Sequence, residues 1–223
     1  MIYLFCNEGY GKAFLERAQK YSSLHGCEMI VVFSLKKEYP EDRASEPIRK
    51  LTGLLTEKYR QIRLRYRWKI RFLLVEDVNG AGFSGRISSR DDGIIAGFNQ
   101  IFRKSLIEKF GSLVNFHPSV LPFYRGPVPS YWCIRNKEEK TGYTLHTVTE
   151  KIDSGEILFQ KEVSIGNIDD PDTLDHKIAS EAAVTLGNYL DFLQSARSWS
   201  KVQLDAYKIY KTHLDYASFP NRG

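Results

Sequence analysis

An apolar run that empties into a polar cluster constrains this chain more than any other feature. Ser112-Leu113-Val114 leads directly into Asn115-Phe116-His117-Pro118-Ser119-Val120-Leu121-Pro122, followed by Tyr124-Arg125-Gly126-Pro127. Such a run reads as a buried strand whose carboxyl end opens on a site. Short apolar runs also occur from Ile2 to Cys6, Met29 to Phe33, about Ile70 to Val75 and Gly93 to Phe98. They alternate with stretches of helical spacing, which predicts an α/β fold with a mostly parallel sheet and helices on both faces.

The intervening segments fill in that plan. Gly9-Tyr10-Gly11 turns the chain from the first strand into a helix with Phe14, Ala18 and Tyr21 inward. Lys36 to Ser45 reads as an exposed loop, and Ile48, Leu51, Leu55, Tyr59 and Ile62 share a helical face. From Ile62 to Phe72 apolar and basic residues alternate, and the run Arg63 to Arg71 is read as solvated surface rather than a polyanion-binding face. Asn79 to Asp92 reads as a connection or a weak short helix, and Lys104 to Phe110 as a helix. Pro127 to Ile134 is a short helix carrying Tyr131 and Trp132. Gly142 to Val148 and Gly155 to Ile165 are a strand and a returning strand. Asp172 is the expected cap of a long helix whose inner face holds Leu174, Ile178, Ala182, Leu186 and Leu190.

The polar residues near the strand end suit transfer of a carbonyl group. An amide (Asn115) donates to a forming oxyanion, and a charged imidazole (His117) stands beside it. A carboxylate such as Asp153 orients the imidazole and relays the proton that an attacking amine must lose. Pro118 and Pro122 stiffen the segment after the imidazole. His146, alone on its predicted strand, ranks below His117 for chemistry.

Taken together, Asn115-x-His117-Pro118-Ser119, Arg125-Gly126, Thr141-Gly142-x-Thr144-x-His146 and Ile152-Asp153-Ser154-Gly155 resemble the folate-dependent formyltransferase family. That family includes glycinamide ribonucleotide transformylase, methionyl-tRNA formyltransferase and the sugar N-formyltransferases, and the resemblance runs from about Asp92 to near Leu193. It implies a Rossmann-like domain over residues 1–200, with 201–223 a short C-terminal extension rather than a separate domain. It further implies transfer of a formyl group from 10-formyltetrahydrofolate to a primary amine, with Asn115, His117 and Asp153 catalytic and no metal. Phe98, Asn99, Ile101, Phe102, Ile152 and Asp153 would meet the folate. Lys12, Tyr124, Arg125, Gly126, Tyr131 and Trp132 would meet the acceptor.

The acceptor implied is a nucleotide-linked amino sugar, since the residues around Tyr124 to Trp132 and Gly97 to Ile101 look closest to the sugar enzymes. In the purine enzymes Ser-Asn follows the first glycine turn, whereas Lys12 and Ala13 stand here. The C-terminal barrel of the tRNA enzymes has no counterpart in Lys201 to Gly223. Glycinamide ribonucleotide formylation, formyltetrahydrofolate hydrolysis and a basic nucleic-acid-binding module are the alternatives.

Composition sets the outer bounds. A chain of 223 residues suits one α/β domain, and a formal charge of +5 favours a small anionic partner without requiring nucleic acid. Cys6, Cys27 and Cys133 are odd in number and far apart, which supports neither a disulfide framework nor a zinc site. No apolar run approaches membrane-spanning length, so the expectation is a cytoplasmic protein, with a homodimer left open.

Overall fold

The computed structural model describes residues 1–7, 9–35, 70–167 and 169–195. Seven strands form one sheet: β1 (Ile2–Cys6), β2 (Met29–Ser34), β3 (Arg71–Val75), β4 (Asp92–Ala96), β5 (Ser112–His117), β6 (Lys140–Thr147) and β7 (Ile157–Ser164). Their spatial order is β3-β2-β1-β4-β5-β6-β7. The pairs from β3 through β5 are parallel, while β5–β6 and β6–β7 are antiparallel. The sheet is therefore mostly parallel with an antiparallel corner, and that corner holds the polar cluster.

Strand alternation decides which residues enter which core. On β1, Ile2, Leu4 and Cys6 face one layer together with Phe14, Leu15, Ala18 and Tyr21 of α1 (Lys12–His25). Leu174, Ile178, Ala182, Leu186 and Leu190 of the long helix Pro171–Gln194 belong to the same layer. Tyr3 and Phe5 face the opposite layer, with Phe83 of α2 (Ala81–Ser84) and Leu106 of α3 (Lys104–Ile107). Helices thus cover both faces of the sheet. A further short helix, α4 (Pro129–Arg135), precedes β6, and the long helix is α5.

Several boundaries differ from the sequence reading, and three of them have a clear local reason. β4 stops at Ala96 because Gly97 turns into the left-handed region at φ +70°. α3 stops at Ile107, beyond which Lys109 and Phe110 donate to the carbonyls three residues back and the helix tightens out. The cap of α5 is Asp170, not Asp172. Pro171 occupies the first helical position, so the residue before it caps: Asp170 Oδ1 accepts from Thr173 N at 2.8 Å, and Thr173 Oγ1 accepts from Asp170 N at 2.8 Å. The predicted loop from Lys36, the helix from Ile48, most of the basic run and the extension 201–223 lie outside the described residues. Of the basic run only Ile70 and Arg71 are described, and Arg71 is exposed at the start of β3. Among the described residues no helix is long and apolar enough to cross a membrane.

Candidate active site

Two strands build the floor of the site. Asn115 and His117 are two residues apart on β5 and so share a face. Antiparallel pairing sets Asn115 opposite His146 and His117 opposite Thr144 on β6. His146, which sequence reasoning ranked as structural, therefore stands inside the cluster. Its signal was the Thr144-x-His146 spacing, but only the register of β5 with β6 gives that spacing its meaning.

Asp153 comes to this floor from the turn between β6 and β7. Its backbone is left-handed at φ 47°, a conformation that aspartate tolerates better than most residues. Gly155 closes the turn: a Cβ there would lie 1.6 Å from the Thr147 carbonyl oxygen, so no other residue fits without displacing backbone. The buried carboxylate then has four neighbours. Gly126 N donates to Oδ2 at 2.9 Å, and His117 Nδ1 lies 3.5 Å from the same oxygen. Asn115 Nδ2 donates to Oδ1 at 3.4 Å, and His146 Nε2 lies 3.6 Å from it.

The histidine tautomers follow from the remaining partners. His146 Nδ1 faces the Thr147 carbonyl at 2.8 Å and must donate to it, which leaves Nε2 to accept from Asn115 Nδ2 at 3.1 Å. His117 Nε2 faces the Tyr124 carbonyl at 2.8 Å and likewise donates. Burial lowers the His117 pKa below its ordinary value, outweighing the upward pull of Asp153 and of the Tyr124 carbonyl. Neutral His117 thus turns the lone pair of Nδ1 toward Asp153, and a proton arriving at Nδ1 would be met by a carboxylate. Burial also raises the Asp153 pKa, but the charge that His117 carries when protonated, the neighbouring His146 ring and the Gly126 N–H outweigh it and bring it down to about 2.

The segment between the strands is held as firmly as the floor. Ser119 Oγ donates to the Phe123 carbonyl at 2.7 Å, and Thr144 Oγ1 donates to the Ser119 carbonyl at 2.7 Å. Tyr124 and Gly126 both have positive φ, 56° and 91°, and these turns aim the Tyr124 carbonyl at His117 and the Gly126 N–H at Asp153. Residues 85–188, which contain this whole arrangement, match the model of the formyl transferase family. This segment, a little under half of the chain, is what the chain shares with that family.

The formyl transferase segment has relatives with different acceptors. The methionyl-tRNA formyltransferase of Geobacter metallireducens is 34% identical over 123 residues, which cover 54% of this chain and 39% of that protein. The match thus spans about two fifths of the length of such curated relatives. Two solved structures share the fold. Glycinamide ribonucleotide transformylase 1 from Symbiobacterium toebii is 20% identical with a TM-score of 0.64, covering 91% of each chain. The N-formyltransferase from Helicobacter canadensis, in complex with folinic acid and dTDP-3-aminofucose, is 17% identical with a TM-score of 0.65, covering 99% of this chain and 70% of that one.

Outside the central cluster, the formyl transferase segment treats the sequence-predicted residues unequally. Ile101 is 67% exposed and Ile152 51%, so both present apolar surface. Phe102 is a correction: it is buried and packs edge-on against Phe5 at 4.9 Å between centroids, which makes its ring core rather than pocket wall. Phe98 is half-buried and leans on the same core, and Asn99 after it is exposed. Tyr124 is a second correction, because its side chain is buried and spent on Glu138 and Asn136. Its contribution is the main-chain carbonyl, which residue type alone does not reveal. Tyr131 and Trp132 meet edge to face on α4, with Arg135 over the indole at 5.4 Å. Arg125 is half-buried, and Lys12 is exposed at the first position of α1, whose opening turn has no acidic residue. Among the described residues no group of His, Cys, Asp and Glu is arranged to hold a metal ion.

Proposed function

We propose that this protein transfers the formyl group of 10-formyltetrahydrofolate to a primary amine, the acceptor being the amino group of a nucleotide-linked sugar. The observation that carries the reading is the Asp153 carboxylate gathered among Asn115, His117, His146 and the Gly126 N–H at the strand ends. The bond from Asn115 Nδ2 to Asp153 is the long one, at 3.4 Å. A formyl oxygen entering beside Asn115 would take over that hydrogen, and the donor would stabilise the oxyanion formed when the amine attacks. The amine proton passes toward Asp153 and settles on His117 Nδ1, where the imidazolium has an acceptor at each nitrogen: Asp153 at Nδ1 and the Tyr124 carbonyl at Nε2. His117 therefore acts as the acceptor of the proton rather than as a resting cation beside the oxyanion. Collapse of the tetrahedral intermediate returns the proton to the departing folate nitrogen.

For the co-substrate, exposed Ile101, after β4, and exposed Ile152, next to Asp153 in sequence, offer apolar surface. For the acceptor, Lys12 at the uncapped start of α1 favours a phosphate, and the exposed ring of Tyr131 suits the face of a base or sugar. The test is tetrahydrofolate release from 10-formyltetrahydrofolate with nucleotide-linked 3-amino and 4-amino sugars, glycinamide ribonucleotide and methionyl-tRNA as separate acceptors. The reading expects turnover with an amino sugar. Turnover with the ribonucleotide or the charged tRNA, and with no sugar, would replace the acceptor while leaving the chemistry in place.

A further inference from the structure

We propose that Gln160 is a positioning residue for the His117–Asp153 pair, acting through the segment 119–126. The side chain lies on β7, opposite Thr144 of β6, and its hydrogen bonds go to the Leu121 carbonyl and Thr144 rather than to Asn115, His117 or Asp153. Its amide donates to the Leu121 carbonyl at 2.7 Å and to Thr144 Oγ1 at 2.9 Å. The Thr144 hydroxyl has one hydrogen, and that goes to the Ser119 carbonyl. Its lone pairs are then filled by Leu121 N at 3.0 Å and by Gln160, so the hydroxyl has no remaining freedom. Gln160 and Thr144 together clamp the backbone at residues 119 and 121.

From that clamp the order passes to the catalytic groups. Ser119 Oγ bonds the carbonyls of Phe123, at 2.7 Å, and of Tyr124, at 3.3 Å. The Tyr124 carbonyl sets the His117 ring, and two residues later the Gly126 N–H sets Asp153. Positive φ at Tyr124, a residue with a Cβ, makes this segment costly to hold by local preference alone. Anchors from a neighbouring strand are what such a segment needs, and Gln160 supplies the outermost one. Ser119 and Thr144 are fully buried, whereas Gln160 is half-buried, so it can be changed without opening the core.

Two substitutions separate anchoring from packing. Gln160→Glu keeps the shape but offers no hydrogen to the Leu121 carbonyl and repels it. Gln160→Met keeps the volume without charge and guards against a Glu variant that fails to fold. Both are expected to unfold cooperatively, with the Leu121 and Gly126 amide protons exchanging about tenfold faster than in the parent protein. The kinetic consequence rests on the formyl-transfer reading: kcat falls about 10²-fold while the KM for 10-formyltetrahydrofolate stays put. Unchanged exchange at both amides in both variants would overturn the proposal, and so would faster exchange with an unchanged kcat. Absence of formyl transfer in the parent protein would reject the functional reading instead, and the exchange rates would still decide whether Gln160 holds the segment.

Discussion

The two segments that leave the sheet beside the site are held in different ways. Residues 97–103, after β4, hang largely on one neutral side chain. Gln100 accepts from Val78 N at 3.0 Å and donates to Ser34 Oγ at 2.7 Å and the Val75 carbonyl at 3.2 Å. Asn79 completes the frame by donating to the Ile101 carbonyl and accepting from Arg103 N. Residues 119–126, after β5, are instead clamped from β6 and β7 and end on a charge, the Asp153 carboxylate. The first arrangement ties three parallel strand ends into one surface. The second holds main-chain groups at fixed distances from two titrating side chains. Errors in the first should loosen binding, and errors in the second should slow chemistry.

The sharpest way to break this contrast is at its charged end. Asp153→Asn keeps the shape of the side chain but gives up the charge and the proton acceptor. It should lower kcat by about 10²- to 10⁴-fold with folate affinity largely kept, as steady-state kinetics and a binding titration would show. Near-normal turnover would mean that the carboxylate only shapes the turn. Next in size is Gly155→Ala, whose new Cβ meets the Thr147 carbonyl at 1.6 Å. The backbone must move, at a cost of about 3 kcal/mol in unfolding free energy, and Asp153 moves with it, so activity falls as well. Gln100→Leu probes the other segment. It strands the Val78 N–H and should cost about 1–3 kcal/mol, and its kinetic mark is a raised folate KM with kcat retained. A fall in kcat alone would erase the distinction between the two segments.

The same contrast explains what could be read in advance. Asn115 and His117 were legible because a two-residue spacing on a strand fixes a common face, and Gly155 beside Asp153 marked a tight return. The parallel half was legible because its apolar runs are continuous, although β4 ends two residues short of its run, where Gly97 turns. His146 was undervalued because its place depends on the pairing of β6 with β5, a contact between residues 31 apart in the chain. Tyr124 was misread because its working group is a carbonyl that every residue possesses. Phe102 was misread because an aromatic residue in a loop can turn inward as readily as toward a ligand, and here Phe5 and Leu106 receive it.

Protonation of His117 tests the account most directly. Nitrogen-15 spectra of the labelled ring, recorded against pH alongside kcat/KM, would follow it. The account predicts a neutral ring at pH 7 with the hydrogen on Nε2, and a titration midpoint below the ordinary histidine value of about 6.5. The acid limb of kcat/KM should share that midpoint, because protonated His117 cannot accept the amine proton. Stability should decline over the same range, since the unfolded chain takes up the proton that the buried ring resists. A ring already doubly protonated at pH 7, with activity unchanged through its titration, would contradict the account and return His117 to the role of a fixed cation.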